Sequence, residues 1–303
     1  MLKLTEVKSI LREYNIRPSK RFGQNFLIDQ NIKDKIIGSI QLGKEDIVLE
    51  IGPGLGAITE DLCKKAKRVI AVEKDKRLYN FLLRQNYLNC HCEEVRSANE
   101  AISKKRLLRS AHNDEGEKHS LELINGDILK YEFKDISSKL IVVGNLPYSI
   151  SSPILNKLIN NRSYINSIYA TVQMEFGERL AALPGTKDYG SLSCYAQFYG
   201  EPKILFKIPR GTFLPVPEVD SCFLKISFDK QIDSSIDQCL LFKIIRSSFE
   251  KRRKTILNSI ASSGIFKSKE DALLCLTKAN ISPDRRPETI SLQEFIVLSI
   301  ALM

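Results

Sequence analysis

Short apolar runs alternate with amphipathic stretches from the N-terminus to about residue 229, a β-α-β rhythm that predicts a parallel sheet covered by helices on both faces. The predicted strands fall at 46–51, 68–73, 121–125, 139–144, 167–173, 193–199 and 221–228, and helices fill 56–66, 75–87, 151–161 and 174–183. No helical pattern separates 193–199 from 221–228, so the last two strands are expected to pair antiparallel. Beyond 229 the strands stop. Helical periodicity then occupies 237–263, 268–279 and 291–302, punctuated by Ser, Gly and Pro. The expected fold class is α/β, with a seven-stranded, mostly parallel sheet over 1–229 and a small all-helical domain over 230–303.

One interval breaks the rhythm. The chain between Glu73 and Asp127 is roughly twice as long as a single helix-plus-loop crossover requires. The excess lies at 93–119, which is highly charged and poor in large apolar side chains, and it reads as a surface insertion.

Composition narrows the class. With 43% hydrophobic residues, the 303-residue chain can bury a substantial core. No apolar run reaches the roughly 18 residues of a membrane span. The N-terminal segment lacks a signal-peptide core, and Glu6 and Glu13 argue against a transit peptide, so a cytoplasmic protein is expected. The cysteines at 63, 90, 92, 194, 222, 239 and 275 are odd in number and scattered, as reduced thiols are. A net charge of +10 favours a polyanionic partner, because Lys and Arg displace counterions from phosphates.

The strongest local signal is Glu50-Ile51-Gly52-Pro53-Gly54-Leu55-Gly56-Ala57, which follows an apolar strand and opens a helix. Glycines let the backbone approach a ligand, and the helix start offers free N–H groups. Glu73 ends the next strand, about 20 residues on, placed to accept both hydroxyls of a ribose. This pattern calls for a nucleoside-containing cofactor and leaves nicotinamide and S-adenosylmethionine both open. Two later strand ends separate them. Asn125-Gly126-Asp127 closes the third strand, where a carboxylate or neighbouring amide can read an adenine amine. Gly144-Asn145-Leu146-Pro147-Tyr148 closes the fourth. An exocyclic adenine amine is a poor nucleophile, its lone pair being delocalised into the ring. The Asn145 side-chain oxygen and the Pro147 carbonyl are expected to hold its two N–H bonds and aim the lone pair at a sulfonium methyl. Tyr148 would stack on the base, and no strong base is needed.

These residues resemble the ribosomal RNA adenine dimethyltransferases. The resemblance rests on 20–27 (KRFGQNFL), 48–60 (VLEIGPGLGAITE), 72–75 (VEKD), 124–127 (INGD), 142–155 (VVGNLPYSISSPIL), 187–193, 211–221, 249–258 and 286–295, and it spans the chain apart from the insertion. It implies a Rossmann-like S-adenosylmethionine methyltransferase domain and a helical C-terminal domain that contributes to RNA binding. The implied reaction dimethylates two adjacent adenosines near the 3′ end of 16S rRNA in the immature 30S subunit. Methylation of 23S rRNA of the antibiotic-resistance type is the nearest rival, and 249–258 and 286–295 favour the small-subunit enzyme. An RNA-binding assembly factor with secondary methylation is the rival from another class. A nicotinamide oxidoreductase lacks an identifiable proton donor.

Carried over position by position, the family's cofactor contacts fall on Asn25, Leu27, Gly52, Glu73, Asp127 and Asn145. The target-adenine site falls on Asn145, Leu146, Pro147 and Tyr148, with Phe213 stacking on the opposite face from the stiff, exposed loop FLPVP. Met174-Glu175-Phe176-Gly177 departs from the family's usual Lys and smaller apolar residues. RNA phosphates are assigned to Lys251, Arg252, Arg253 and Lys254 on a predicted helix, and to Lys20 and Arg21 at the entry to the site. Cys90, Cys92, His112 and His119 do not match a structural zinc spacing, so no metal is expected. Tyr189, Tyr195 and Phe198 read as packing residues. Without a heptad seam, a monomer is expected; no membrane or DNA partner is.

Overall fold

The computed structural model describes residues 4–18, 23–85, 92–95, 111–112, 118–134, 138–251 and 253–302. The chain opens with α1 (Leu4–Glu13), β1 (Phe26–Leu27) and α2 (Gln30–Ser39), then alternates through β2 (Ile47–Ile51), α3 (Thr59–Lys65), β3 (Arg68–Glu73) and α4 (Lys76–Leu83). Next come β4 (Cys92–Val95), β5 (Ala111–His112), β6 (Lys118–Asn125), β7 (Leu140–Asn145), α5 (Ser151–Asn160), β8 (Ile165–Gln173), α6 (Met174–Ala181) and α7 (Ser191–Tyr199). The strands end with β9 (Glu201–Ile208), β10 (Phe213–Leu214), which pairs with β1 in a separate two-stranded sheet, and β11 (Ser221–Ser227). Helices α8 (Gln238–Glu250), α9 (Ile256–Ile260), α10 (Lys269–Lys278) and α11 (Leu292–Ala301) follow.

The main sheet runs β4-β6-β3-β2-β7-β8-β11-β9, with β5 also paired to β6. From β4 to β8 every neighbouring pair is parallel, whereas β11 lies antiparallel to β8. Strand β2 is buried at all five positions, as expected of a parallel strand covered on both faces. Its neighbours are β3 on one side and β7 on the other, so the strand order reverses there. The carboxyl ends of β2 and β7 therefore flank the crevice where ligands bind in such sheets. Gly144 makes this close pairing possible, since a Cβ there would stand 2.7 Å from the Ile51 carbonyl oxygen.

The sequence expectation fails in the sheet at 193–199. Residues 193–199 form part of helix α7, not a strand, and the outer strand is Glu201–Ile208. Ser193, Cys194, Ala196, Phe198 and Tyr199 are all buried, so the helix has no polar face for a period to show.

The chain separates into two compact units. One runs to Met174 and resumes over Ile204–Phe228; the other comprises Glu175–Lys203 and the chain from Asp229 onward. Residues 175–203 therefore group with the C-terminal helices. Within that helical unit Tyr195 and Phe198 both pack edge-on against Phe242, and Tyr189 packs edge-on against Phe249. No helix among the described residues is long and apolar enough to cross a membrane.

Candidate active site

A cavity of about 560 Å³ opens at the carboxyl ends of β2, β3 and β7, entirely within the first unit. The turn from Gly52 to Ala57 forms its floor, and Glu73, Asp127, Asn145, Phe213 and the segment Gly23–Leu27 also line it. Gly52, Gly54 and Gly56 have φ of 65°, 62° and 77°, the left-handed region that glycine enters without strain.

Glu73 is 5% exposed and is held by two backbone donors. Gly54 N–H donates to Oε2 at 3.1 Å and Asp75 N–H to Oε1 at 2.8 Å. Burial nevertheless raises its pKa to about 7, the backbone donors only partly offsetting the lost hydration. Glu50, 1% exposed on β2, is pushed to about 8 by burial, with Thr59 working against the shift and Glu73 adding to it. Asp75 caps α4 and accepts from Arg77 and from Gln24 Nε2 at 2.9 Å, which ties the N-terminal segment to the end of β3. Burial would raise the Asp127 carboxyl, but Lys74 Nζ at 2.7 Å and the Leu129 N–H hold it below the ordinary carboxylate range. Asn125 Nδ2 donates to the Glu73 carbonyl at 2.9 Å and so keys the β6 end to the β3 end.

At the fourth strand end, Asn145 Nδ2 donates to the Asn25 carbonyl at 2.8 Å. A carbonyl only accepts, so this bond fixes the amide's orientation and leaves Oδ1 as the free acceptor. The Pro147 carbonyl, expected to hold the other N–H bond, already has two donors in this structure. It accepts from Ile150 N–H at 3.0 Å and from Ser151 Oγ at 3.0 Å, which occupies both lone pairs in the turn that starts α5. The neighbouring Leu146 N–H donates to the Thr171 carbonyl, while the Leu146 carbonyl accepts nothing among the described residues.

Tyr148 lies outside the cavity lining, with its hydroxyl 2.6 Å from Ser221 Oγ. Phe213 is 1% exposed, contrary to the exposed loop expected of FLPVP. Strand β10 pairs antiparallel with β1, placing Phe213 opposite Leu27, and the ring forms cavity wall. Gly23 has φ of 58°, and a Cβ there would meet Pro147 Cβ at 3.0 Å, so the N-terminal segment closes directly onto the Asn145–Tyr148 turn.

Lys251, Arg253 and Lys254 are not helical. Helix α8 ends at Glu250, and Lys251, Arg253 and Lys254 are exposed in the turn before α9, whose N-cap Thr255 accepts from Asn258 N–H. Cations just past a helix C-terminus complement its dipole. Lys20, Arg21 and Arg252 lie outside the described residues, as do the side chains of Cys90, Cys92, His112 and His119 and most of 93–119. The Gln24–Asp75 and Asn145–Asn25 links carried no sequence signal, because each joins residues distant along the chain.

The parallel sheet, the glycine turn at its switch point and the acceptor-bearing end of β7 define a Rossmann-like methyltransferase that uses S-adenosylmethionine. The chain belongs to the ribosomal RNA adenine dimethylase family, whose model matches residues 15–91 and 102–297. It is 36% identical to ribosomal RNA small subunit methyltransferase A of Bacillus mycoides (strain KBAB4), over 98% of this chain and 95% of that protein. The protein of the same name from Bacillus anthracis (strain CDC 684 / NRRL 3495) matches at the same identity and coverage. In structure it is similar to a dimethyladenosine transferase from Plasmodium falciparum, with a TM-score of 0.71, 24% identity and coverage of 90% of this chain and 95% of that one. It is also similar to the 23S rRNA methyltransferase ErmE, with a TM-score of 0.64, 21% identity and coverage of 92% and 99%.

Proposed function

We propose that this chain dimethylates two adjacent adenosines near the 3′ end of the small-subunit ribosomal RNA, acting as a monomer on the immature subunit in the cytoplasm. The small-subunit target is supported by the names of its 36%-identical relatives, which align over nearly their whole length.

The cavity fits the cofactor. A buried carboxylate at the end of β3, a left-handed glycine turn and Asp127 at the end of β6 match the ribose, close-approach and adenine needs of a nucleoside. S-adenosylmethionine, when bound, supplies a methyl group on a positively charged sulfur. Glu73 is assigned to the ribose, Asp127 to the adenine end, and Asn25, Leu27, Gly52 and Asn145 to the remainder.

The observation that carries the reading is the fixed orientation of Asn145. With Nδ2 committed to Asn25, Oδ1 is an acceptor on the cavity wall, and the Leu146 carbonyl, next along the chain though Leu146 is outside the cavity lining, is assigned as the second acceptor. Two acceptors gripping the two N–H bonds of an adenine amine draw its lone pair out of ring conjugation. They are fixed in advance, so they cost no reorganisation during reaction. Pro147 shapes the turn, and Tyr148 and Phe213 hold the base. Lys251, Arg253 and Lys254 contact RNA phosphates, together with Lys20, Arg21 and Arg252.

Incubation with labelled S-adenosylmethionine tests the reading. Label should enter immature 30S particles, in dimethyladenosine near the RNA 3′ end. Label entering only protein-free 23S rRNA would transfer the protein to the rival substrate. If Asn145→Ala fully supported subunit maturation, assembly rather than methylation would be its main role.

A further inference from the structure

Two cationic side chains line the cavity among the described residues, Lys33 and Lys74. Lys74 is half exposed and paired with Asp127. Lys33 is different. It lies on α2 in the buried stripe Lys33, Ile36 and Ile37, where an apolar side chain would serve packing better, and it is 7% exposed. Its Nζ stands 2.6 Å from Oδ2 of Asp61 in the first turn of α3, the helix that the glycine-rich turn opens. Burying an ammonium is costly unless its partners repay the lost hydration. One carboxylate leaves part of the three-donor ammonium unused.

The remaining ionisable cavity residues are acidic: Glu6, Glu50, Glu60, Glu73, Asp75 and Asp127. Those that are ionised suit the sulfonium and the amino group of S-adenosylmethionine, and none of the six attracts its carboxylate. Resting on the cofactor assignment above, we infer that Lys33 is a further cofactor-binding residue. Its ammonium, held in place by Asp61, binds the α-carboxylate of the methionine portion.

The test is calorimetric binding of S-adenosylmethionine and of decarboxylated S-adenosylmethionine to wild type and to two variants. These are Lys33→Met and Lys33→Met/Asp61→Asn, the second of which removes the pair without stranding a carboxylate. A lost charge-assisted hydrogen bond weakens S-adenosylmethionine binding by about tenfold or more, while affinity for the decarboxylated form stays within about twofold. Equal losses for both ligands, or no loss for either, would overturn the inference and leave Lys33 a packing latch. If the variants do not fold, a structure of the wild type with S-adenosylhomocysteine decides. Lys33 Nζ within hydrogen-bond reach of the carboxylate supports the inference, and a carboxylate bound elsewhere overturns it. Wild type that binds neither S-adenosyl ligand would overturn the cofactor assignment itself.

Discussion

Asn145 and Asn25, 120 positions apart in sequence, are joined by a 2.8 Å hydrogen bond from the side-chain amide of one to the backbone carbonyl of the other. The bond makes the N-terminal segment responsible for which way the Asn145 amide faces. The orientation of a side chain at the end of β7 is thus set by a residue between α1 and α2.

Replacing Asn145 by Ala removes both the acceptor and the tie. Methyl transfer should fall about 100-fold or more, in line with loss of one preorganised polar contact. Asn145→Asp keeps an acceptor but places a carboxylate against the Asn25 carbonyl, and should also weaken S-adenosylmethionine binding. Single-turnover rates alongside Kd separate the two effects.

Glu50 and Glu73 make apo-protein stability fall as pH rises. Their folded pKa values, about 8 and about 7, lie above the unfolded value of about 4.5. Each carboxyl's contribution is fully present below about 4.5 and is lost as pH rises through the folded value. Calorimetry should show Tm declining across that window. Glu50→Gln should raise Tm at pH 8 by about 3 °C or more and change it less at pH 5.

The cofactor has the opposite preference, because an ionised Glu73 accepts hydroxyl donors and favours a cationic ligand. S-adenosylmethionine affinity should therefore weaken as pH falls from 8 to 6. Glu73→Gln should bind weakly with little dependence on pH. A wild-type Kd that stays flat across this range would count against Glu73 as the ribose acceptor.

Tyr148 and Phe213 call for gentle substitutions. Tyr148→Phe loses only the Ser221 contact and should retain most activity, whereas Tyr148→Ala should cost about tenfold or more in methylation with Kd for S-adenosylmethionine little changed. Because Phe213 is fully buried, Phe213→Leu is the informative change, and truncation to Ala would destabilise the domain by about 3 kcal/mol or more. Equal loss of cofactor affinity in Tyr148→Ala would remove that ring from the substrate face.

Gly144→Ala places a methyl 2.7 Å from the Ile51 carbonyl, backbone against backbone, where neither strand can yield cheaply. Denaturant unfolding should show a loss of about 1–3 kcal/mol. A neutral result would mean that β2 and β7 separate more readily than their pairing suggests.

Most of the sheet was legible because its strands are short apolar runs bounded by turn residues, and Gly52, Glu73 and Asp127 announce themselves at strand ends. Four features were not. The run at 193–199 is mostly apolar and aromatic, with only Ser193 and Gln197 polar, so strand and helix look alike in it. Strand Glu201–Ile208 starts with Glu-Pro and has a largely half-exposed pattern that hides its apolar face. The commitment of the Pro147 carbonyl depends on Ile150 and Ser151 starting a helical turn, which residue types alone do not specify. Composition gave no hint that Phe213 would be buried, since its environment is created by β1, nearly two hundred residues earlier.

The two-residue ladder between Phe26–Leu27 and Phe213–Leu214 carries a consequence for biosynthesis. During translation the early strap has nothing to pair with until the late half of the sheet domain has been made. A nascent chain that stops short of residue 214 carries the glycine turn and Glu73 but lacks the clasp across them. Competence to retain the methyl donor should therefore arise only after that point in elongation.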